Sequence, residues 1–169
     1  MCITRASYIE GKNEPVTVYK VIEAIEHYMV TKEDDLESIK LTITRKTPFR
    51  GIILSEDILN GTVPFVAKGE SCIFGEYQDN IGRTYAKKIN GGFIHSYATK
   101  QSVVKEYFQF YYPTECKKMG VKIEIYECEI PAGEGYWEGL FDGYAPSRAS
   151  KSIVFKRKLS QEEIETTRY

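Results

Sequence analysis

The densest chemistry in the sequence lies between Gly135 and Arg148, where Tyr136, Trp137 and Tyr144 stand among Glu138, Asp142 and Arg148. Large amphipathic rings beside both signs of charge suit contact more than proton transfer, because Tyr and Trp offer wide area at small entropy cost. Gly135, Gly139 and Gly143 recur every four residues in this segment, which excludes a stable helix and predicts a tight loop carrying the aromatics. The rings would equally serve to cap one end of a core. Arg50, in Pro48-Phe49-Arg50-Gly51, carries a guanidinium suited to phosphate or carboxylate, followed by a glycine that permits close backbone approach. A solvated or internally paired arginine is the alternative. His95 and Ser96 sit in a β-prone run just before Thr99, which can cap a helix. An imidazole able to act as acid or base near neutral pH therefore stands beside the N–H groups of a helix start. The plainer role for His95 is a local hydrogen bond that fixes the strand-to-helix turn.

The candidate ligand- or partner-binding residues are thus Arg50, His95, Tyr136, Trp137, Glu138, Tyr144 and Arg148, and the expected partner is a protein or a small molecule. No residue set is assigned to catalysis. Cys2, Cys72, Cys116 and Cys128 show no CxxC spacing, and only His27 and His95 could join them, so no metal and no cofactor is expected. Four thiols in 169 residues are too few for a disulfide scaffold and read as the reduced cysteines of a cytoplasmic protein. Lys plus Arg is 23 and Asp plus Glu is 24, and this near-neutral balance removes the electrostatic argument for a nucleic-acid binder. Lys156-Arg157-Lys158 reads as a solvated strand edge. No apolar run approaches the ~20 residues of a membrane-spanning helix. The first seven residues lack the apolar core of a secretory signal.

The elements that must position these groups are mostly strands. Val16, Val18 and Ile22 fall on one face of a run over 16–25, and Tyr19, Val21 and Ile25 on the other, which predicts a central strand covered on both sides. After the acidic turn Lys32-Glu33-Asp34-Asp35, the alternation of Ile39, Leu41 and Ile43 with polar residues predicts a second strand and a hairpin. From 47 to 90 frequent Gly and Pro predict irregular structure with brief strands. Val103, Val104, Tyr107, Phe108 and Tyr111 make a helical stripe over about 100–111, which Pro113 ends. In Val121–Ile130 the apolar parity flips at Tyr126, which calls for a bulge or for cover on both faces. Residues 152–158 read as a last strand, and Ser160-Gln161-Glu162-Glu163 as the capping box of a short terminal helix. The expected architecture is one α+β domain over 1–169: a mainly antiparallel, curved sheet with one principal helix and a short C-terminal one. Its expected core includes Val18, Val21, Ile22, Ile94, Val104, Phe108, Ile123, Ile125 and Ile153.

Several fragments also occur in a recognisable order: Val18-Tyr19-Lys20-Val21-Ile22, Thr47-Pro48-Phe49-Arg50-Gly51, Gly92 to Thr99, Glu127 to Gly133, Tyr136-Trp137-Glu138-Gly139 and Tyr144-Ala145. The set resembles a family of small proteins of gut Bacteroidetes and phages whose pattern runs YKV, SPYRG, GFHSF, CxIPKG, YYEG and YAS. The family has no established activity, so the resemblance implies a bacterial or mobile-element cytoplasm and not a reaction. Ala132 stands where that pattern has Lys, and Ile94 is an extra residue before His95. Cys2 is similar to the N-terminal cysteine of amidotransferases and of DNA-crosslinking proteins beginning Met-Cys-Gly-Arg, whose thiol works beside its own amine; here Ile3 replaces their glycine. A fainter likeness is to ADP-ribosyltransferases, carried by Tyr19-Lys20 on a first strand and Ser96 at a strand end. Those enzymes have Arg where this chain has Lys20, and a late-strand Glu where it has Ser150, Lys151 and Ser152. The expected function is a non-enzymatic binding or accessory role, with an enzyme of the latter kind, or its inactive relative, as the alternative.

Overall fold

β-Branched and aromatic residues in alternation turn most of the chain into strand. The computed structural model describes residues 3–31, 39–48 and 53–168; Cys2, Arg50 and the acidic turn 32–35 lie outside them. In chain order the elements are β1 (Ile3–Ile9), β2 (Val16–Thr31), β3 (Ile39–Thr47), α1 (Glu56–Leu59), β4 (Phe65–Val66), β5 (Ile73–Phe74), β6 (Tyr77–Gln78) and β7 (Thr84–Ile89). Then follow β8 (Ile94–Tyr97), α2 (Lys100–Gln109), α3 (Pro113–Lys118), β9 (Val121–Ile130), β10 (Tyr136–Phe141), β11 (Ala145–Ser150), β12 (Ser152–Lys158) and α4 (Gln161–Thr167). The strands form one antiparallel sheet in the order β4-β12-β9-β2-β8-β11-β10-β1-β7-β5, with β3 added to β2 and β6 to β7. This is the expected α+β architecture, a curved and mostly antiparallel sheet with a few helices.

Helix α2 packs on one face of the sheet over Tyr19, Val21, Tyr97, Ile123 and Ile125, and contributes Val103, Val104 and Tyr107. Its start is capped as expected, with the Thr99 hydroxyl accepting from the Ser102 N–H. The helix stops at Gln109, two residues short of expectation, and Pro113 opens α3. Phe108, expected in the core, is only half buried because it lies at the edge of the stripe, beneath the Arg168 guanidinium at 4.3 Å from the ring centre. The opposite face buries Val18, Ile22, Ile94, Tyr126, Cys128, Tyr136, Ile153 and Phe155 under α1 and β4. A third cluster, Ile3, Ala6, Ala86, Ile89, Trp137 and Ala149, fills the far end.

The parity flip in β9 has a definite cause. Its register with β2 runs unbroken from Val16↔Ile130 to Ile25↔Val121, so β9 carries no bulge against β2. Val121, Ile123 and Ile125 instead face the α2 side, whereas Tyr126, Cys128 and Ile130 face the other cluster. The register shift belongs to β12, where Phe155 and Arg157 oppose consecutive β9 residues Cys128 and Glu127.

The segment expected to be a glycine-laced loop is a hairpin, β10 and β11, inside the sheet. Its glycines serve backbone approach instead of mobility. A Cβ on Gly139 would come within 2.3 Å of Ile3 Cγ2 and 2.6 Å of the Thr4 carbonyl oxygen, where β1 shifts register between Thr4 and Ser7. At the tip, Asp142 and Gly143 both adopt positive φ, as a tight hairpin turn requires.

Candidate functional site

The strand β2 changes neighbour along one edge. β9 holds the other edge from Val16 to Ile25, while β8 pairs at Tyr19 and β3 takes over from Glu23. Between these pairings the sheet forks, and Lys20 lies in the fork. Its neighbours on the same face are the core residues Val18 and Ile22, so the strand geometry buries a lysine that is 7% exposed. Its ammonium donates to the His95 backbone carbonyl. Burial pushes the Lys20 amine down to about 8, opposed in part by the Cys128 thiol.

A cleft of about 640 Å³ opens onto this point. That volume falls in the range of small-molecule sites, roughly 300–1,000 Å³. Lys20 and His95 lie at its sheet side; Leu54, Ile58, Phe65, Phe93 and Ile94 supply apolar walls; Lys68, Asn90 and Gly91 complete the lining with further residues. None of the described lining residues is acidic. A smaller void of about 10 Å³ at the same fork is lined by Lys20, His95 and Ser96, among others. His95 Nδ1 and Ser96 Oγ are buried without hydrogen-bond partners among the described residues. Burial, reinforced by the Lys20 charge, pushes His95 down to about 4, so its imidazole is neutral at physiological pH. The fork therefore offers a neutral imidazole and an ammonium with two donors left over among the described residues, in a weakly polar setting.

Of the described candidate residues, only His95 lines the cleft. Tyr136 and Trp137 are 1% and 5% exposed and point to opposite faces, one into the cluster under α1, the other into the far cluster against Tyr8. Their burial corrects the expectation that both rings stand on a loop surface: successive strand residues alternate faces, and here both faces are covered. Glu138 and Arg148 sit opposite one another on β10 and β11. Arg148 Nε donates to Glu138 Oε1 at 2.9 Å and Nη1 to the Thr17 carbonyl at 2.8 Å, with the guanidinium 5.6 Å from the Tyr136 ring centre. Tyr144 is 43% exposed near the hairpin tip, stacked on Phe110, and its hydroxyl donates to Glu106.

Sequence reasoning passed over Lys20 as a site residue. The signal was present: a single lysine in a run apolar on both faces has no route to solvent within a central strand. The cleft walls from 53 to 68 carried no such signal, because they meet the fork only through the fold. Comparison with protein families, with curated proteins and with solved structures finds no match. No helix among the described residues is long and apolar enough to cross a membrane, and no cluster of three or more His, Cys, Asp or Glu residues suited to a metal occurs among them.

Proposed function

We propose that the chain is a non-enzymatic binding protein that holds a small molecule in the cleft at the fork, with an apolar body against Phe65, Phe93 and Ile94 and an acceptor or anionic end on Lys20. The observation that carries this reading is a buried ammonium that faces no carboxylate among the described residues lining an open cleft. A buried cation is costly unless paired, and a ligand anion would supply the pair. The resemblance to proteins of Bacteroidetes and phages supports a bacterial or mobile-element origin and a cytoplasmic setting. The test is calorimetric titration with small aromatic carboxylates. Binding should weaken at least tenfold in Lys20→Met, and fade as pH rises through 8, where the ammonium loses its proton. Equal binding by the variant rejects the reading.

A second reading, an enzyme similar to ADP-ribosyltransferases or its inactive relative, gains from one feature: Lys20 and Ser96 line the same small void. Against it, Ser150, Lys151 and Ser152 stand where such enzymes place a glutamate to support the ribosyl cation. Saturable binding of a nicotinamide dinucleotide, with release of nicotinamide, would favour it over simple binding.

A further inference from the structure

We propose that Lys20 is a carbonyl-reactive lysine and that the cleft takes small aldehydes or ketones with an apolar body, which condense with its amine. The inference rests on the reading of the cleft as a small-molecule site and adds the chemistry of its ligand. Lys20 lines a cleft large enough for a ligand yet is itself buried, so a carbonyl compound reaches the amine against apolar walls. Its ammonium is bonded to a backbone carbonyl and faces no carboxylate among the described lining residues. Nothing there holds the proton on nitrogen as an ion pair would.

The surrounding groups favour the neutral amine. Burial brings Lys20 down to about 8, so about one amine in ten carries a lone pair at pH 7, against fewer than one in a thousand for an ordinary lysine. From β8, His95 is neutral, pushed down to about 4. From β9, the Cys128 thiol is pushed up by burial and keeps its proton. The one carboxylate buried on β9, Glu124, is bonded to Lys46 and Tyr126. In the step itself the amine lone pair forms a bond to the carbonyl carbon, and the C=O π pair moves to oxygen. Both amine hydrogens leave with that oxygen as one water, and a C=N bond remains. No oxidant or reductant takes part.

The experiment uses 4-formylbenzoate with sodium cyanoborohydride, whose hydride fixes any imine as a stable amine, and peptide mass spectrometry to locate the adduct. Modification at Lys20 should be at least tenfold faster than at any exposed lysine, and its rate should climb between pH 6 and 8.5. Lys20→Met should lose it. Ala67 also lines the cleft, and Ala67→Trp, which leaves the amine in place and fills the cleft, should slow it at least tenfold. Labelling spread evenly over exposed lysines, or an unchanged rate at Lys20 in Ala67→Trp, overturns the proposal. Titration with 4-(hydroxymethyl)benzoate, of the same shape but unable to condense, separates the two ideas. If it binds and no adduct forms at Lys20, the carbonyl chemistry fails and the cleft reading stands; if neither occurs, both fail.

Discussion

The β10–β11 hairpin and the β2–β8 fork both place charged and aromatic side chains inside the sheet, and they treat them in opposite ways. On the hairpin, Arg148 has a carboxylate, a backbone carbonyl and a ring. The polar atom there that has no partner among the described residues, the Tyr136 hydroxyl, belongs to a side chain that is 1% exposed in a packed cluster. At the fork, Lys20 has a carbonyl and no facing carboxylate, and His95 Nδ1 has no partner among the described residues. Both residues lie beside open volume. An unmatched group sealed in a core only lowers stability, whereas one beside a cavity can be matched by something that enters.

The largest expected effect falls on the hairpin. Tyr136→Ala should lower unfolding stability by about 3–5 kcal/mol in urea titration. Tyr136→Phe should be neutral or slightly stabilising, because it removes a hydroxyl without a partner. A loss above about 1 kcal/mol in Tyr136→Phe would mean that the hydroxyl is matched after all, and the contrast with the fork would weaken.

At the fork the same measurement should move the other way. Lys20 is protonated in both folded and unfolded chain below pH 8, where the folded state bears the full cost of holding the cation, about 3 kcal/mol for a shift from 10.5 to about 8. Between pH 8 and 10.5 the unfolded chain binds the extra proton, so stability rises with pH. Lys20→Met should therefore be the more stable protein at pH 7, with the difference closing as pH approaches 10.5. A variant less stable than the parent at pH 7 would show that the fork is already matched.

His95 gives the acid counterpart. Its neutral form is the folded one, so above pH 6.5 nothing is lost, and from 6.5 down to about 4 the unfolded chain takes up the proton first. Stability should fall by about 3 kcal/mol across that window, and His95→Gln should remove this part of the slope. The smallest effect belongs to Glu138→Gln. Its partly exposed pair with Arg148 should be worth under about 1 kcal/mol, and a larger loss would mark the pair as structural.

What the sequence made legible was periodic. The alternation in 16–25 and 121–130, the stripe Val103–Tyr107 and the caps at Thr99 and Ser160 all appear where expected. Strand β2 continues to Thr31 beyond the expected end because β3 pairs with it that far. Local patterns could not reveal why Gly139 is a glycine: its reason is Ile3 and Thr4, over a hundred residues earlier, and without them a glycine beside aromatics reads as a turn. Among the described residues, the candidate site was legible at His95 alone. The burial of Lys20 was legible as a lone lysine in a run apolar on both faces, but its place on a cleft needed the fork, and the fork depends on where β3 and β8 each meet β2, which no alternation encodes.

The place of β1 in the sheet sets a timetable for the chain. Its residue Ile3 pairs with Ile89 on one side and Phe141 on the other. At roughly 5–20 residues per second of synthesis, β1 waits on the order of ten seconds before its last neighbour leaves the ribosome. During that wait its apolar side chains and one open edge have no native cover, and pairings across such separations form slowly even in the finished chain. A hairpin as late as β10–β11 is thus what releases β1 from the risk of pairing elsewhere, and expression at lower temperature, which slows competing association, should raise the yield of folded protein.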